Sequence, residues 1–285
     1  MRRLAAACLV LPMAFVLAVG AGCQTIPATG ERKLLFFSEQ DDVKLGKAAR
    51  PDFEKEFGGP IQDPALQAYV RSVGMKVAAE AKRLGERNAG GPLPYEHTFT
   101  ALESKEVNAF ALPGGPVYVT RGLLKAMKTE GQLAAVLGHE TGHVYARHGS
   151  QQLTNQLGLQ ILVGVAVTAA GGAEGAGAAG DLAKVVGALV GLKYSRGQES
   201  QADLLGLDYM VAAGYAPTEM VALMQVFEGM DKGGRPPEFL STHPNPENRV
   251  QAIQHQIQAR NYAARGGRVD EAAYRRQVLD RLGVH

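Results

Sequence analysis

The stretch LAAVLGHETGHVYARHGS, residues 133–150, places two histidines four residues apart, with a glutamate directly after the first. Residues four apart lie on the same face of a helix, one turn from each other. His139 and His143 could therefore bind one zinc ion, which prefers nitrogen, sulfur or carboxylate ligands in a tetrahedron. Glu140 would lie beside the open position, where it can take a proton from the attacking water. An ordinary helix with a polar face is the alternative, but this H-E-x-x-H spacing favours a catalytic metal site.

The flanking residues indicate where this helix begins and ends. Thr129, followed three residues later by Gln132, is a capping-box start, and Gly149 is a natural stop. His148 lies next to that stop, one residue out of register with the third histidine of H-E-x-x-H-x-x-G-x-x-H zinc sites. We therefore interpret His148 as a solvated histidine at the helix end, where the helix dipole favours a positive charge.

A third metal ligand must then come from another part of the chain, and the segment SRGQESQADLLG, residues 195–206, offers one. Glu199 and Asp203 lie one helical turn apart. We expect Glu199 to bind the metal and Asp203 to accept a hydrogen bond from a ligand histidine, which fixes the tautomer of that histidine. An exposed acidic helix face is the alternative, but the small and apolar residues around the pair favour a functional site.

The N-terminus is typical of an exported protein. Residues 1–22 contain two arginines, an apolar run too short to span a membrane comfortably, and then small residues, which together predict a signal peptide. Its removal leaves Cys23 as the only cysteine, and it leaves equal numbers of basic and acidic residues, 28 of each. A chain without net charge has no excess of basic groups for a polyanion, so we expect no nucleic-acid partner.

Cys23 follows the sequence Gly-Ala-Gly, which resembles a bacterial lipobox. Gly20 stands where a lipobox usually has leucine, so an ordinary signal peptidase could cut the same bond and leave a free thiol. We favour acylation of Cys23, which would anchor the protein to a membrane. Gln24 at the next position resembles the pattern that sorts lipoproteins to the outer membrane.

The remaining pattern predicts an α+β fold that is mostly helical. We expect an irregular lead-in over 23–37 and a single domain over 38–285. Alternation over 95–102, followed by 106–112 and 116–120, predicts a small antiparallel sheet. Helical periodicity and caps predict further helices from Ser38, from Pro64 to about Gly85, and over 198–213, 217–230, 246–264 and 269–282.

Residues 151–195 are interpreted as an apolar insertion in this domain. Two apolar segments flank the glycine- and alanine-rich linker 171–180, and each is too short to cross a bilayer as one helix. A buried or lid-like helical hairpin is the favoured interpretation, and a hairpin that touches a membrane is the alternative.

The motifs HETGH, ESQAD and STHPNPENR occur in this order, and the chain resembles the HtpX-like and CAAX-prenyl-protease-like zinc metallopeptidases over about residues 35–262. These proteins are gluzincins, in which a glutamate is the third zinc ligand. The chain looks most like their exported bacterial lipoprotein branch. The resemblance implies a zincin-type fold with an active-site helix, and one zinc ion bound by His139, His143 and Glu199.

The resemblance also implies roles for two further stretches. NAFALPGG would contain the edge strand that pairs with an extended peptide, with Asn108 and Ala109 facing the scissile bond. In STHP, His243 would lie near the metal, where it either stabilises the oxyanion or occupies the open coordination position. Arg249 would hold that loop or the substrate.

These observations predict a zinc-dependent endopeptidase of the bacterial periplasm that acts on unfolded or extended polypeptides, such as misfolded or misassembled envelope proteins. The resemblance alone implies the envelope substrates and a link to the outer-membrane assembly machinery. The alternative is a periplasmic chaperone or assembly factor in which His243 blocks the zinc site. A purely structural zinc protein is less favoured, because a closed structural site gains nothing from Glu140.

Overall fold

The computed structural model describes residues 22–156, 193–232, 237–243 and 249–284. The predicted signal peptide, apart from Gly22, lies outside the described residues, as do the two apolar segments and the linker of the predicted insertion. Within the described ranges, no helix has both the length and the apolar character that a membrane crossing requires.

The fold is α+β and mostly helical, as the sequence predicts. Strands β1 to β5 and helices α1 to α9 follow one another in the order β1 (Gly22–Thr25), β2 (Arg32–Leu35), α1 (Glu39–Glu56), α2 (Pro64–Ala89), β3 (Thr98–Leu102), β4 (Ala109–Ala111), β5 (Pro116–Thr120), α3 (Arg121–Ala126), α4 (Glu130–Tyr145), α5 (Arg196–Ala212), α6 (Thr218–Lys232), α7 (Glu238–Thr242), α8 (Arg249–Ala259) and α9 (Glu271–Tyr274). Residues 148–156 are also helical, and short 3-10 and π segments precede and follow α9.

Helix α4, which carries both histidines of the motif, is the centre of the fold. All 16 of its residues are buried, because α2, α5, α6 and the three-stranded sheet pack around it. Its start agrees with the sequence: Thr129 is the N-cap, and its hydroxyl accepts a hydrogen bond from the N–H of Gln132 at 3.0 Å. A helix covered on every side holds its side chains in fixed positions, which suits a site that needs precise geometry.

The central sheet differs from the predicted antiparallel sheet in one respect. Its strand order is β3-β5-β4, in which β4 and β5 are antiparallel but β3 and β5 are parallel. The turn between β4 and β5 passes through Gly114 and Gly115, both of which have positive φ, as a tight hairpin requires. Alternation of side chains indicates that a segment is a strand, but it contains no information on the direction of the neighbouring strand.

Helix α2 also departs from its predicted end. The sequence predicts a stop at about Gly85, whereas the helix continues to Ala89 and is capped by Gly90, which has a φ of 74°. Gly85 has a packing role instead, since a Cβ atom there would lie 2.6 Å from the ring of Tyr145. A glycine within a helical pattern can thus mark a close approach of another element and not a terminus.

The lead-in over 23–37 is not irregular. β1 and β2 form an antiparallel hairpin in which Cys23 pairs with Leu34. The hairpin is attached to the end of α4 and to the helical residues after it: the N–H of Ala28 donates to the carbonyl of Tyr145 at 3.0 Å, and the N–H of Phe36 donates to the Thr154 hydroxyl at 3.2 Å.

Arg147 explains why α4 ends at Tyr145 and not at Gly149. Arg147 has a positive φ of 54°, which breaks the helix, and its side chain is only 2% exposed. The guanidinium donates to the Asp42 carboxylate at 2.7 Å, to the Gln24 side-chain oxygen at 2.6 Å and to the Phe37 carbonyl at 2.6 Å. These hydrogen bonds outweigh the modest cost of a left-handed backbone at one residue, because a buried arginine is tolerated only when its charge is paired.

A close crossing of α4 and α5 brings the two motif-bearing helices together. A Cβ atom at Gly138 would lie 3.0 Å from the Gly206 carbonyl oxygen, and one at Gly142 would lie 3.0 Å from the Ala202 carbonyl oxygen. A Cβ atom at Gly206 would lie only 2.6 Å from the backbone nitrogen of His139. Small residues on both helices therefore set their distance, and with it the distance between Glu199 and the histidines.

We expect Gly206→Ala to separate these helices. The added methyl group meets backbone atoms that cannot move alone, so the free energy of unfolding should fall by about 1–3 kcal/mol. Gly229→Ala is the matched control, since Gly229 lies within α6 with no atom close to its missing Cβ. That substitution should stabilise the protein by about 0.5–1 kcal/mol. Thermal unfolding of the two variants tests this prediction. Equal melting temperatures would contradict the conclusion that Gly206 is needed for the close contact between α4 and α5.

Candidate active site

Four buried side chains from α4, α5 and the end of α7 converge on one point. They are His139, His143, Glu199 and His243, and one ligand atom from each lies within 4.8 Å of the others. None of the four is more than 2% exposed. The structure therefore brings together the three predicted metal ligands and the histidine that the sequence left with two possible roles.

The distances fit a tetrahedral metal ion. Nε2 of His139 and Nε2 of His143 are 3.0 Å apart, and they lie 3.5 and 3.4 Å from the two carboxylate oxygens of Glu199. Ligand atoms of a zinc tetrahedron with bonds of about 2.1 Å are about 3.4 Å apart. Within the described part of the chain, both oxygens of Glu199 and Nε2 of His243 are buried without a hydrogen-bond partner. Such atoms need a partner, and a tetrahedral zinc ion would provide one for His243 Nε2 and for one oxygen of Glu199.

Asp203 and Arg249 orient the first histidine. Nδ1 of His139 is 2.9 Å from Oδ1 of Asp203, so Nδ1 carries a proton, and Nε2 is the nitrogen that can present a lone pair to a metal ion. Arg249 donates two hydrogen bonds of 2.6 Å to the Asp203 carboxylate, and its guanidinium lies 3.4 Å from Glu199. Asp203 thus contacts the ring nitrogen of His139 that does not face the cluster, and Arg249 contacts both Asp203 and Glu199.

His148 is not the solvated residue expected from its position after α4. The side chain is fully buried, and its Nδ1 is 2.9 Å from Nδ1 of His143. Its other ring nitrogen is 2.8 Å from Oε1 of Gln201 on α5. The prediction assumed that α4 continues to Gly149; because the helix breaks at Arg147, His148 turns inward instead.

Tyr194 is a further contact that the sequence did not indicate. Its ring stacks on His143, with the ring centroids 3.9 Å apart, and its backbone N–H donates to the Thr242 carbonyl at 3.2 Å. Tyr194 lies two residues before α5 and carries no motif-like spacing to the histidines. Only the folded arrangement brings it to the site.

Glu140 and His243 face each other across the cluster. Nε2 of His243 is 3.5 Å from Oε1 of Glu140, and neither oxygen of Glu140 has a hydrogen-bond partner among the described residues. The His243 ring stacks almost parallel on Phe239, with centroids 4.2 Å apart, and its Nδ1 is 2.9 Å from the Thr242 hydroxyl. These contacts leave Nε2 directed towards the other ligand atoms.

Electrostatics in the cluster favour a bound cation. Burial disfavours the charged form of His139, but Asp203 and Glu199 outweigh it and raise the pKa of His139 to about 9. Burial lowers the pKa of His143 to about 4 and raises the pKa of Glu140 to about 8. A positive ion among these groups would favour the ionised form of Glu140, which is the form that can accept a proton.

The edge strand β4 lies next to α4; Ala109 is its first residue, and Asn108 directly precedes it. The N–H and C=O of Asn108 both bond to Thr120, and the Asn108 side-chain oxygen accepts from the N–H of Ala109 at 2.9 Å. Ala109 and Ala111 form non-hydrogen-bonded pairs with β5, so their backbone groups point away from it. Among the described strands, that side of β4 has no partner.

Cys23 takes no part in the metal cluster. Its side chain is exposed on β1, and its carbonyl accepts a hydrogen bond from Arg32 at 3.2 Å. The cysteine lies in the β1–β2 hairpin, which is attached to the end of α4.

A buried helix with H-E-x-x-H and a glutamate from a neighbouring helix define a zinc metallopeptidase site of the gluzincin class. Comparison with known families agrees: the sequence profile of peptidase family M48 matches residues 64–257, and the chain belongs to that family. The resemblance recognised from the three motifs is therefore confirmed.

Three proteins that are similar to this chain come from bacteria and from a yeast. The beta-barrel assembly-enhancing protease of Escherichia coli K12 is 29% identical over 67% of this chain and 38% of its own length. Mitochondrial metalloendopeptidase OMA1 of Schizosaccharomyces pombe is 29% identical over 80% of this chain and 65% of its own length. Metalloprotease LoiP of E. coli K12 is 30% identical over 69% of this chain and 73% of its own length. The chain thus spans less than two fifths of the first relative, although each of the three is named as a peptidase.

Loss of the charge on Asp203 should weaken the metal site. In Asp203→Asn the carboxamide binds His139 and Arg249 less strongly, so we expect zinc affinity to fall about 10–100-fold, the usual effect of removing a partner of a ligand histidine. Asp208→Asn, on the same helix, is the control, because Asp208 pairs with Arg260 near the surface. Chelator competition measures the zinc dissociation constant of each variant. Equal zinc affinities would show that Asp203 does not support His139.

Proposed function

We propose that the chain is a zinc-dependent endopeptidase. The observation that carries this proposal is the convergence of two imidazole nitrogens and a carboxylate on one buried point, beside a second carboxylate that has no hydrogen-bond partner among the described residues. The names of the relatives support a peptidase more than the alternative, a chaperone or assembly factor with a blocked site.

In the proposed reaction, His139, His143 and Glu199 would hold a zinc ion, which would supply Lewis acidity. Glu140 accepts a proton from the water that attacks the peptide carbonyl, and then donates it to the leaving amine. Asp203 and Arg249 keep His139 in the tautomer that presents Nε2.

The substrate is proposed to be an unfolded or extended polypeptide that adds a strand to the free side of β4. Ala109 and Ala111 would exchange backbone hydrogen bonds with it, since their N–H and C=O groups point away from β5. Asn108 would take part indirectly: its carboxamide bonds the N–H of Ala109 and would have to release it when the peptide binds. Most extended segments of a folded protein are already paired within its own structure, so this geometry favours misfolded or misassembled chains.

The location is proposed from the N-terminus. A signal peptide over 1–22 would export the chain to the periplasm, and an acylated Cys23 would anchor it, with Gln24 directing it to the outer membrane. The exposure of Cys23 is compatible with this modification. Envelope proteins, among them clients of the outer-membrane assembly machinery, would then be the available substrates, as the name of the first relative suggests for that protein.

Glu140→Gln tests the proposed reaction. The amide has nearly the same shape but cannot accept the proton, so casein digestion by the purified mature chain should fall about 10²–10⁴-fold while one zinc ion per chain remains bound. Metal content is measured beside activity in both proteins. Retained activity in the variant, with zinc bound, would exclude Glu140 as the base.

His243→Ala tests how the fourth ligand position is used. The His243 ring lies where it can be a fourth ligand, so its removal should open that position and increase casein digestion several-fold. His255→Ala, on the exposed face of α8, is the control and should leave the rate unchanged. A decrease in the His243 variant would instead assign this histidine to stabilisation of the oxyanion.

A further inference from the structure

His148 and Gln201 form a hydrogen-bonded series with His143 that the proposed reaction does not use. Nδ1 of His148 is 2.9 Å from Nδ1 of His143, and Nε2 of His148 is 2.8 Å from Oε1 of Gln201. The His148 ring is fully buried, and it is not one of the four residues that converge on the metal position. The series runs from α5 to the far side of a metal ligand.

The positions of the protons in this series follow from elementary hydrogen-bond rules. A neutral imidazole donates through one nitrogen and accepts through the other. If His143 presents the lone pair of Nε2 to a metal, its proton lies on Nδ1 and must be donated to Nδ1 of His148. His148 then carries its own proton on Nε2, and that proton needs an acceptor, which Oε1 of Gln201 provides.

We propose that His148 and Gln201 are positioning residues that fix the tautomer of His143. The carboxamide oxygen of Gln201 determines which nitrogen of His148 is protonated, and His148 in turn determines which nitrogen of His143 is protonated. This inference rests on the proposed zinc site, because the tautomer that the series imposes is the one that presents Nε2 of His143 to the metal. The direction of the series starts from the Gln201 oxygen and does not require the metal to be bound.

The two ligand histidines are thus oriented by different chemistry. His139 is held by the ionised pair of Asp203 and Arg249, whereas His143 is held by two neutral side chains. A second carboxylate against the back of the cluster would add negative charge beside Glu199 in a dry site, where an unpaired charge is costly. A neutral series supplies the same orientation without that charge.

The first test measures tautomers directly in the metal-free protein. Two-bond 1H–15N correlation spectra of the labelled full-length mature chain, stripped of metal, distinguish a proton on Nδ1 from one on Nε2. We expect His143 to be protonated on Nδ1 and His148 on Nε2, although free histidine prefers Nε2. His148→Leu should return His143 to the Nε2 form, and a His143 that is already protonated on Nε2 in the parent protein would overturn the proposal.

The second test compares zinc dissociation constants and melting temperatures of four variants. His148→Leu and Gln201→Met remove the acceptor and should weaken zinc binding about 10–100-fold. His148→Asn keeps an oxygen near the position of Nδ1 and should recover most of the affinity. Gln254→Met, at an exposed position of α8, is the control for the glutamine substitution and should bind zinc as the parent does.

Two results would overturn the assignment: unchanged affinity in all variants, or equal losses in His148→Asn and His148→Leu that follow their loss of thermal stability. The second result would mean that His148 only fills space. Neither readout requires catalysis, so a parent protein that binds zinc without digesting casein would contradict the proposed peptidase while leaving the inference to be decided by the spectra.

Discussion

The close crossing of α4 and α5 is the contact on which the rest of the site depends. Ligand atoms of a zinc tetrahedron lie about 3.4 Å from each other, and the distance between α4 and α5 determines whether Glu199 on one helix meets the two histidines on the other at that spacing. Gly138, Gly142 and Gly206 remove the side chains at this interface. The resulting contact is between backbones, so it cannot relax as flexible side chains can.

A second constraint is electrostatic. The cluster buries Glu140, Glu199 and Asp203 with a single cationic side chain, Arg249, in contact with the latter two. Such an excess of carboxylates is unfavourable in a medium of low polarity unless protons or a bound cation offset it, and the raised pKa values of His139 and Glu140 reflect the proton side of this balance. At His139 the neighbouring carboxylates outweigh the effect of burial and keep the pKa high, whereas at His143 burial is the largest effect and the pKa is low. Metal binding and the orientation of the ligands are therefore parts of one charge balance.

The site residues that could be predicted from sequence lie in two groups. One group belongs to the H-E-x-x-H motif on α4, and the other is a pair of acids four residues apart on α5. His139, Glu140 and His143 follow from one helical turn, and Glu199 with Asp203 follows from another, because side chains one turn apart share a face whatever the tertiary structure. The mostly helical fold and the N-caps at Ser38 and Thr129 are local in the same sense.

What could not be predicted depends on contacts between distant segments. The end of α4 is set by Arg147, whose conformation is stabilised by Asp42 and Gln24 more than 100 residues away. Because of this one break, His148 begins the next helical segment and is buried, whereas the sequence predicted a solvated residue at the end of α4. The parallel pairing of β3 with β5 and the stacking of Tyr194 on His143 are likewise tertiary, and no spacing in the chain encodes them.

The fourth member of the cluster is attached differently from the other three, and this difference bears on how the site could open. His139, His143 and Glu199 belong to long helices joined at their backbones, whereas His243 follows the five-residue helix α7. That helix is held by the stack of Phe239 on Phe227 and by hydrogen bonds to Tyr194 and to the Val107 carbonyl, which precedes Asn108. A peptide that adds to β4 would bind beside the segment to which α7 is bonded. Under the proposed function, substrate binding and displacement of His243 would therefore act on the same short piece of structure, while His139, His143 and Glu199 would stay fixed by the helix crossing.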